Sequence, residues 1–107
     1  MNRIEQIKTF LENTPNDNFL LHALALEDIK LGNDVDANPL FEQIIIQSPD
    51  YVGSYYHLAK LLERLGNRTE AISCYEKGME AAKTAKDQHS YNELQAAYED
   101  LVYYLND

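Results

Sequence analysis

The chain has 107 residues, enough for a single modest core, with 45% hydrophobic and 25% charged residues, a balance that excludes a disordered segment. A net charge of −9 sets its surface against phosphate backbones and anionic membranes, so neither nucleic acid nor a membrane is expected as a partner. Four glycines and three prolines are too few for a turn-rich β architecture, and the abundance of Leu, Ala, Glu and Gln favours helix, so the expected class is all-α.

The N-terminal stretch Met1-Asn2-Arg3-Ile4-Glu5-Gln6 has no apolar core of a leader. With no apolar run long enough to cross a bilayer, a cytoplasmic location is the expectation. Ile4, Ile7, Phe10 and Leu11 then give a first helix within 2–13. From Asp17 to Leu31, Leu21, Leu24, Ala25 and Leu31 recur at helical spacing, and Gly32-Asn33 stops the helix, with Gly32 in the left-handed position of its C-terminus. Asn38 reads as the N-cap of the next helix, with Pro39 at its first position, where a missing N–H has no consequence. A fourth helix carries Tyr55, Leu58, Ala59 and Leu62 and stops at Gly66; a fifth, capped by Thr69 or Asn67, buries Ala71, Ile72, Tyr75 and Met79. Finally Tyr91, Leu94, Tyr98, Leu101 and Leu105 fall at alternating three- and four-residue spacing, the seam of an amphipathic helix over 88–105.

The middle of the chain repeats itself with a period of 34: Pro15 maps onto Pro49, Leu21 onto Tyr55, Leu24-Ala25 onto Leu58-Ala59, Leu31-Gly32-Asn33 onto Leu65-Gly66-Asn67, Ala37 onto Ala71 and Phe41-Glu42 onto Tyr75-Glu76. Ala25, Ala37, Ala59 and Ala71 stand where two helices must approach closely, and the larger residues fill the adjacent holes. The second unit reads Tyr55-x-x-Leu58-Ala59-x-x-Leu62 and then Ala71-x-x-x-Tyr75; the first reads Leu21-x-x-Leu24-Ala25-x-x-Asp28, then Ala37-x-x-x-Phe41, closing with Pro49. Over residues 16–83 this pattern resembles the tetratricopeptide repeat family, in particular small bacterial proteins with two repeats and a terminal helix. Two departures stand out. Asp28 occupies a packing position, and Lys83 replaces the closing proline, so the fifth helix is expected to run on toward Lys86. The resemblance implies a right-handed solenoid of about six helices forming one domain over 1–107: a half-repeat helix (2–13), repeat 1 (16–49), repeat 2 (50–86) and a capping helix (88–105).

In this family the outward stripe of each first helix lines a concave, partner-binding groove. Here that stripe lies roughly 130° round the helix from the packing stripe. It contains Phe19, His22, Leu26, Ile29 and Lys30 in the first repeat and Tyr56, Lys60, Glu63 and Arg64 in the second. Its apolar and basic mixture suits a protein or peptide segment with an apolar anchor and carboxylates. In the competing reading, the apolar residues pack against the terminal helices and the cations pair with Glu27 or Glu63. Chaperone-binding members of the family hold a terminal carboxylate with Lys and Asn, but His22, Leu26 and His57 stand at those positions, so that clamp is not expected. The alternative function is a homodimer formed through Tyr98, Leu101, Tyr104 and Leu105.

No catalytic residue, cofactor or metal site is expected. His22, His57 and His89 lack metal-ligand spacing, and no nucleophile or phosphate-loop motif occurs. The single Cys74 forms no intramolecular disulfide and reads as an inert, half-buried thiol.

Overall fold

The computed structural model describes residues 2–104. All regular structure among them is helical: α1 (Arg3–Asn13), α2 (Asn18–Lys30), α3 (Asp34–Gln47), α4 (Gly53–Arg64), α5 (Arg68–Thr84) and α6 (Gln88–Glu99), the last continuing into a π-helical turn over Asp100–Tyr104. The chain divides into two compact units, Met1–Ser48 and Pro49–Asp107.

In the first unit α2 packs against both α1 and α3. Short polar side chains start its first two helices: the Asn2 side chain accepts from the Glu5 N–H at 2.9 Å, and Asp17 accepts from the Leu20 N–H at 3.0 Å. The core consists of Ile7, Leu21, Leu24, Ala25, Ala37, Phe41 and Ile44. Gln47 Nε2 donates to the Asn16 carbonyl at 2.8 Å, tying the α1–α2 turn to the end of α3.

One expectation is corrected here. Helix α3 starts at Asp34 behind Asn33, so Asn38 is not a cap and Pro39 lies inside the helix. The left-handed turn at Gly32 already redirects the chain at Asn33, and Asp34 and Asp36 place carboxylates in the first turn, where the helix dipole favours them. Proline gives up the one N–H that would bond the carbonyl of Val35, a strongly exposed residue.

In the second unit α5 lies against α4 and α6, and α4 also touches α6. Asn67 stands at the N-cap position of α5 without a side-chain cap bond, and Asp87 caps α6 by accepting from the Ser90 N–H at 3.1 Å. Asp87 also accepts from the Ser90 hydroxyl at 2.8 Å. Together these two donors hold its carboxyl below the ordinary value.

The three turns that close α2, α4 and α5 share one hydrogen-bond pattern. The N–H of Asn33, Asn67 and Asp87 reaches back to the carbonyl of Asp28, Leu62 and Ala82 respectively, each at 2.8 Å. The residue before each closes a shorter loop, from Gly32 to Ile29, Gly66 to Glu63 and Lys86 to Lys83. Gly32 and Gly66 adopt φ of 78° and 82°, and Lys86 takes φ of 59° in the same role. The third turn is therefore the strained one, since a side chain at positive φ crowds its own backbone.

Gly78 shows how tightly the second unit closes. A Cβ there would stand 2.7 Å from Tyr55 Cβ and 3.1 Å from Leu94 Cδ1, so only a hydrogen fits between α5 and its neighbours. The repeat maps Gly78 onto Ile44 and Tyr55 onto Leu21, so the larger ring of the second unit is matched by a missing side chain. Gly78→Ala should lower stability in urea unfolding by about 1–2 kcal/mol, because overpacking of about 1–3 kcal/mol exceeds a helix-propensity gain of up to about 1 kcal/mol. An unchanged or raised midpoint would mean that α5 can shift without loss.

Candidate functional site

Phe19 stands at the first turn of α2 with 72% of its surface exposed, although it is an aromatic residue two positions from the buried Leu21. His22, Leu26 and Ile29 follow on α2 half-buried, and Lys30 is exposed. His22 sets its ring edge-on to Phe41 at 5.6 Å, which fixes its orientation and makes it part of the floor.

Phe19, His22, Ala23 and Leu26, with Arg3, Glu27 and Lys30, line an open pocket of about 410 Å³. Glu27 accepts from Arg3 Nε at 2.9 Å and pairs with Lys30 Nζ at 3.3 Å. One carboxylate thus serves two cations, leaving this pocket net positive in a strongly acidic chain. Arg3 has no local signal in the sequence, because the contact joins positions 24 residues apart. Ile29 does not line the pocket.

The corresponding face of α4 is organised around Tyr56. Lys60 Nζ lies 5.8 Å from the centre of its ring and 3.8 Å from Glu63 Oε2, and the His57 ring meets Tyr56 edge-on at 5.6 Å. Glu63 also accepts a short hydrogen bond from the Tyr75 hydroxyl. Burial, followed by this carboxylate, pushes the Tyr75 phenol far above its ordinary value. Glu63 is therefore tied into the fold, while Tyr56 and Lys60 are half-buried and Arg64 is exposed.

The remaining candidates lie elsewhere. Asp28 is 8% exposed, and burial followed by the nearby Asp36 raises its carboxyl against the opposing pull of Lys8. Cys74 is buried, its Sγ donating to the Tyr55 carbonyl at 3.4 Å, and burial pushes its thiol up to about 12. His89 pairs with Glu93 on the surface of α6 at 3.7 Å. No group of His, Cys, Asp and Glu among the described residues is arranged to hold a metal ion. None of the helices described is long and apolar enough to cross a membrane.

At the C-terminal end, Leu101 is 2% exposed inside the second unit, so it is not available to a second chain. Tyr98 is half-buried, and the side chain of Tyr104 and all of Leu105 lie outside the described residues.

The structure is similar to the solution NMR structure of a tetratricopeptide repeat domain protein from Salinibacter ruber, with 43% identity and a TM-score of 0.78 over 82% of this chain and 89% of that one. A crystal structure of the tetratricopeptide repeat domain protein from the same organism gives 44% identity and 0.76 over 79% and 96%. The chain belongs to the tetratricopeptide repeat family. A protein from Bordetella parapertussis shares the fold at 24% identity, with a TM-score of 0.81 over 94% and 88% of the two chains. No family model and no curated protein matches the chain. The α2–α3 and α4–α5 helix pairs cover the two stretches that repeat at a period of 34, and Phe19 and Tyr56 each stand on the first helix of their pair.

His57 gives a pH-dependent handle on the second repeat. Burial lowers its pKa from 6.5, with Glu93 opposing and Arg64 reinforcing the shift. The folded state therefore binds this proton less readily than the unfolded chain as pH falls. Stability should be full above about pH 6.5 and decline below it. His57→Gln should remove that component of the decline, measured as the difference between wild-type and variant urea midpoints from pH 7.5 to 5. Parallel curves would assign the decline to other groups.

Proposed function

We propose that the chain binds a protein segment carrying an apolar anchor and one or more carboxylates along the outward faces of its first helices. The general role is that of the family, a helical-repeat module for protein interaction. The observation that supports this ligand chemistry is the pocket of α2, where an exposed aromatic ring stands beside two cations that share one carboxylate.

Burying Phe19 against a ligand removes apolar surface from water, and aromatic and basic side chains dominate the energetics of such contacts. A ligand carboxylate reaching Arg3 or Lys30 takes up positive charge that Glu27 only half neutralises, in a chain whose net charge is −9. On α4, Tyr56 with Lys60 above its ring repeats the same pairing of an aromatic platform and a cation. The sequence alternative, self-association through the last helix, loses its central residue with the burial of Leu101.

The test is binding of an array of acidic and neutral peptides to wild type, to Phe19→Ala with Lys30→Glu, and to Tyr56→Ala with Lys60→Glu. Because Phe19 and Lys30 are exposed, the first variant should keep the wild-type circular dichroism. It should lose at least about tenfold in affinity for acidic, apolar peptides, the result of removing roughly 1.4 kcal/mol or more. Undiminished binding by both variants, or selection of basic peptides by the α2 face, would overturn the proposal.

A further inference from the structure

A second pocket, larger than the one on α2, lies on the second unit and includes none of the residues of the Tyr56 face of α4. It measures about 790 Å³ and opens between the start of the unit, at Pro49 and Asp50, and the last three turns of α5. Volumes of ~300–1,000 Å³ are those of pockets that enclose a ligand group. Its floor is apolar: Pro49, the ring of Tyr55, Ala81 and Ala85. The Tyr55 hydroxyl is turned away into a hydrogen bond to the Pro49 carbonyl at 2.5 Å, leaving the ring to the wall. The small size of Ala81 and Ala85 leaves the volume unfilled.

The rim is acidic. Asp50, Glu76 and Glu80 border the opening against one cation, Lys77. Among the described residues none of these three carboxylates is held by a side-chain ion pair or hydrogen bond, whereas Glu27 and Glu63 on the first-helix faces are both engaged. An apolar cavity ringed by uncommitted carboxylates complements an apolar side chain flanked by cations.

We propose that this pocket is a second docking surface, and that its occupant is a basic amphipathic segment of a partner protein. An apolar side chain of the segment enters between Tyr55 and Ala81, and its lysines or arginines meet Asp50, Glu76 and Glu80. The sign of charge it selects is opposite to that proposed for the α2 face, and neither proposal depends on the other.

The experiment follows amide shifts of the ¹⁵N-labelled chain on addition of two synthetic helical peptides. Both carry Leu at positions i, i+3, i+4 and i+7, one with Lys and the other with Glu elsewhere. The Lys peptide should shift the amides of Tyr55, Ala81, Thr84 and Ala85 saturably, and the Glu peptide should leave them unmoved. Glu76→Lys with Glu80→Lys should weaken the Lys peptide at least about tenfold, and Ala81→Leu, which fills the cavity without changing charge, should weaken it similarly. Ala85→Leu, at an exposed position, repeats the cavity test should Ala81→Leu disturb folding. Loss of binding in the charge variant with full binding in both filled variants would overturn the proposal, because it would show general attraction without a pocket. Shifts centred on other elements, or equal binding of the Glu peptide here, would also overturn it.

Discussion

Everything in this chain depends on how closely two helix backbones can approach within a repeat. Ala25 and Ala37 in the first repeat, and Ala59 and Ala71 in the second, have no exposed surface. Gly78 brings α5 closer still to Tyr55 and Leu94. Small residues at these points let Leu21, Phe41, Tyr55 and Tyr75 interdigitate at native packing density. Close approach also demands sharp turns, which the left-handed residues Gly32, Gly66 and Lys86 supply. Because each first helix spends one stripe on this packing, its opposite stripe remains for other uses.

Charge is distributed unevenly over those uses. The chain carries 9 basic and 18 acidic residues, and several cations sit next to aromatic side chains: Arg3 of α1 and Lys30 of α2 line one pocket with Phe19, and Lys60 of α4 lies over Tyr56. The acids of α5 gather around a cavity instead of pairing with neighbours. An acidic protein with a locally positive pocket can steer carboxylates to one place, while its bulk surface steers cations.

Much of the architecture was legible because repeats write the same physics twice. The 34-residue register, the alanines of the packing stripe and the glycines of the turns all carry direct backbone or volume requirements. The start of α3 was misread because Asn38-Pro39 is a strong local cap signal, while the true start is set by the preceding turn at Gly32 and by Asp34 and Asp36. Lys86 gave no sign of its left-handed conformation, since lysine has no preference for it and only the turn geometry imposes it. The outward stripe of α2 could be placed by counting residues round the helix, but Arg3 and its bridge to Glu27 could not, because that contact is tertiary. Leu101 falls on the packing seam that the spacing of the last helix gives and is buried there, whereas the acidic pocket on α5 arises from residues separated by up to 36 positions.

The most direct measurement is amide shift mapping on the labelled chain with a single end-blocked peptide bearing an aromatic residue flanked by glutamates, at low and at moderate salt. The account predicts saturable shifts at Phe19, Ala23, Leu26 and Lys30, together with the Arg3 side-chain Nε–H, and weaker binding as salt rises. Absence of shifts on α2, or an equal response there to the same peptide with glutamine in place of glutamate, would contradict the account.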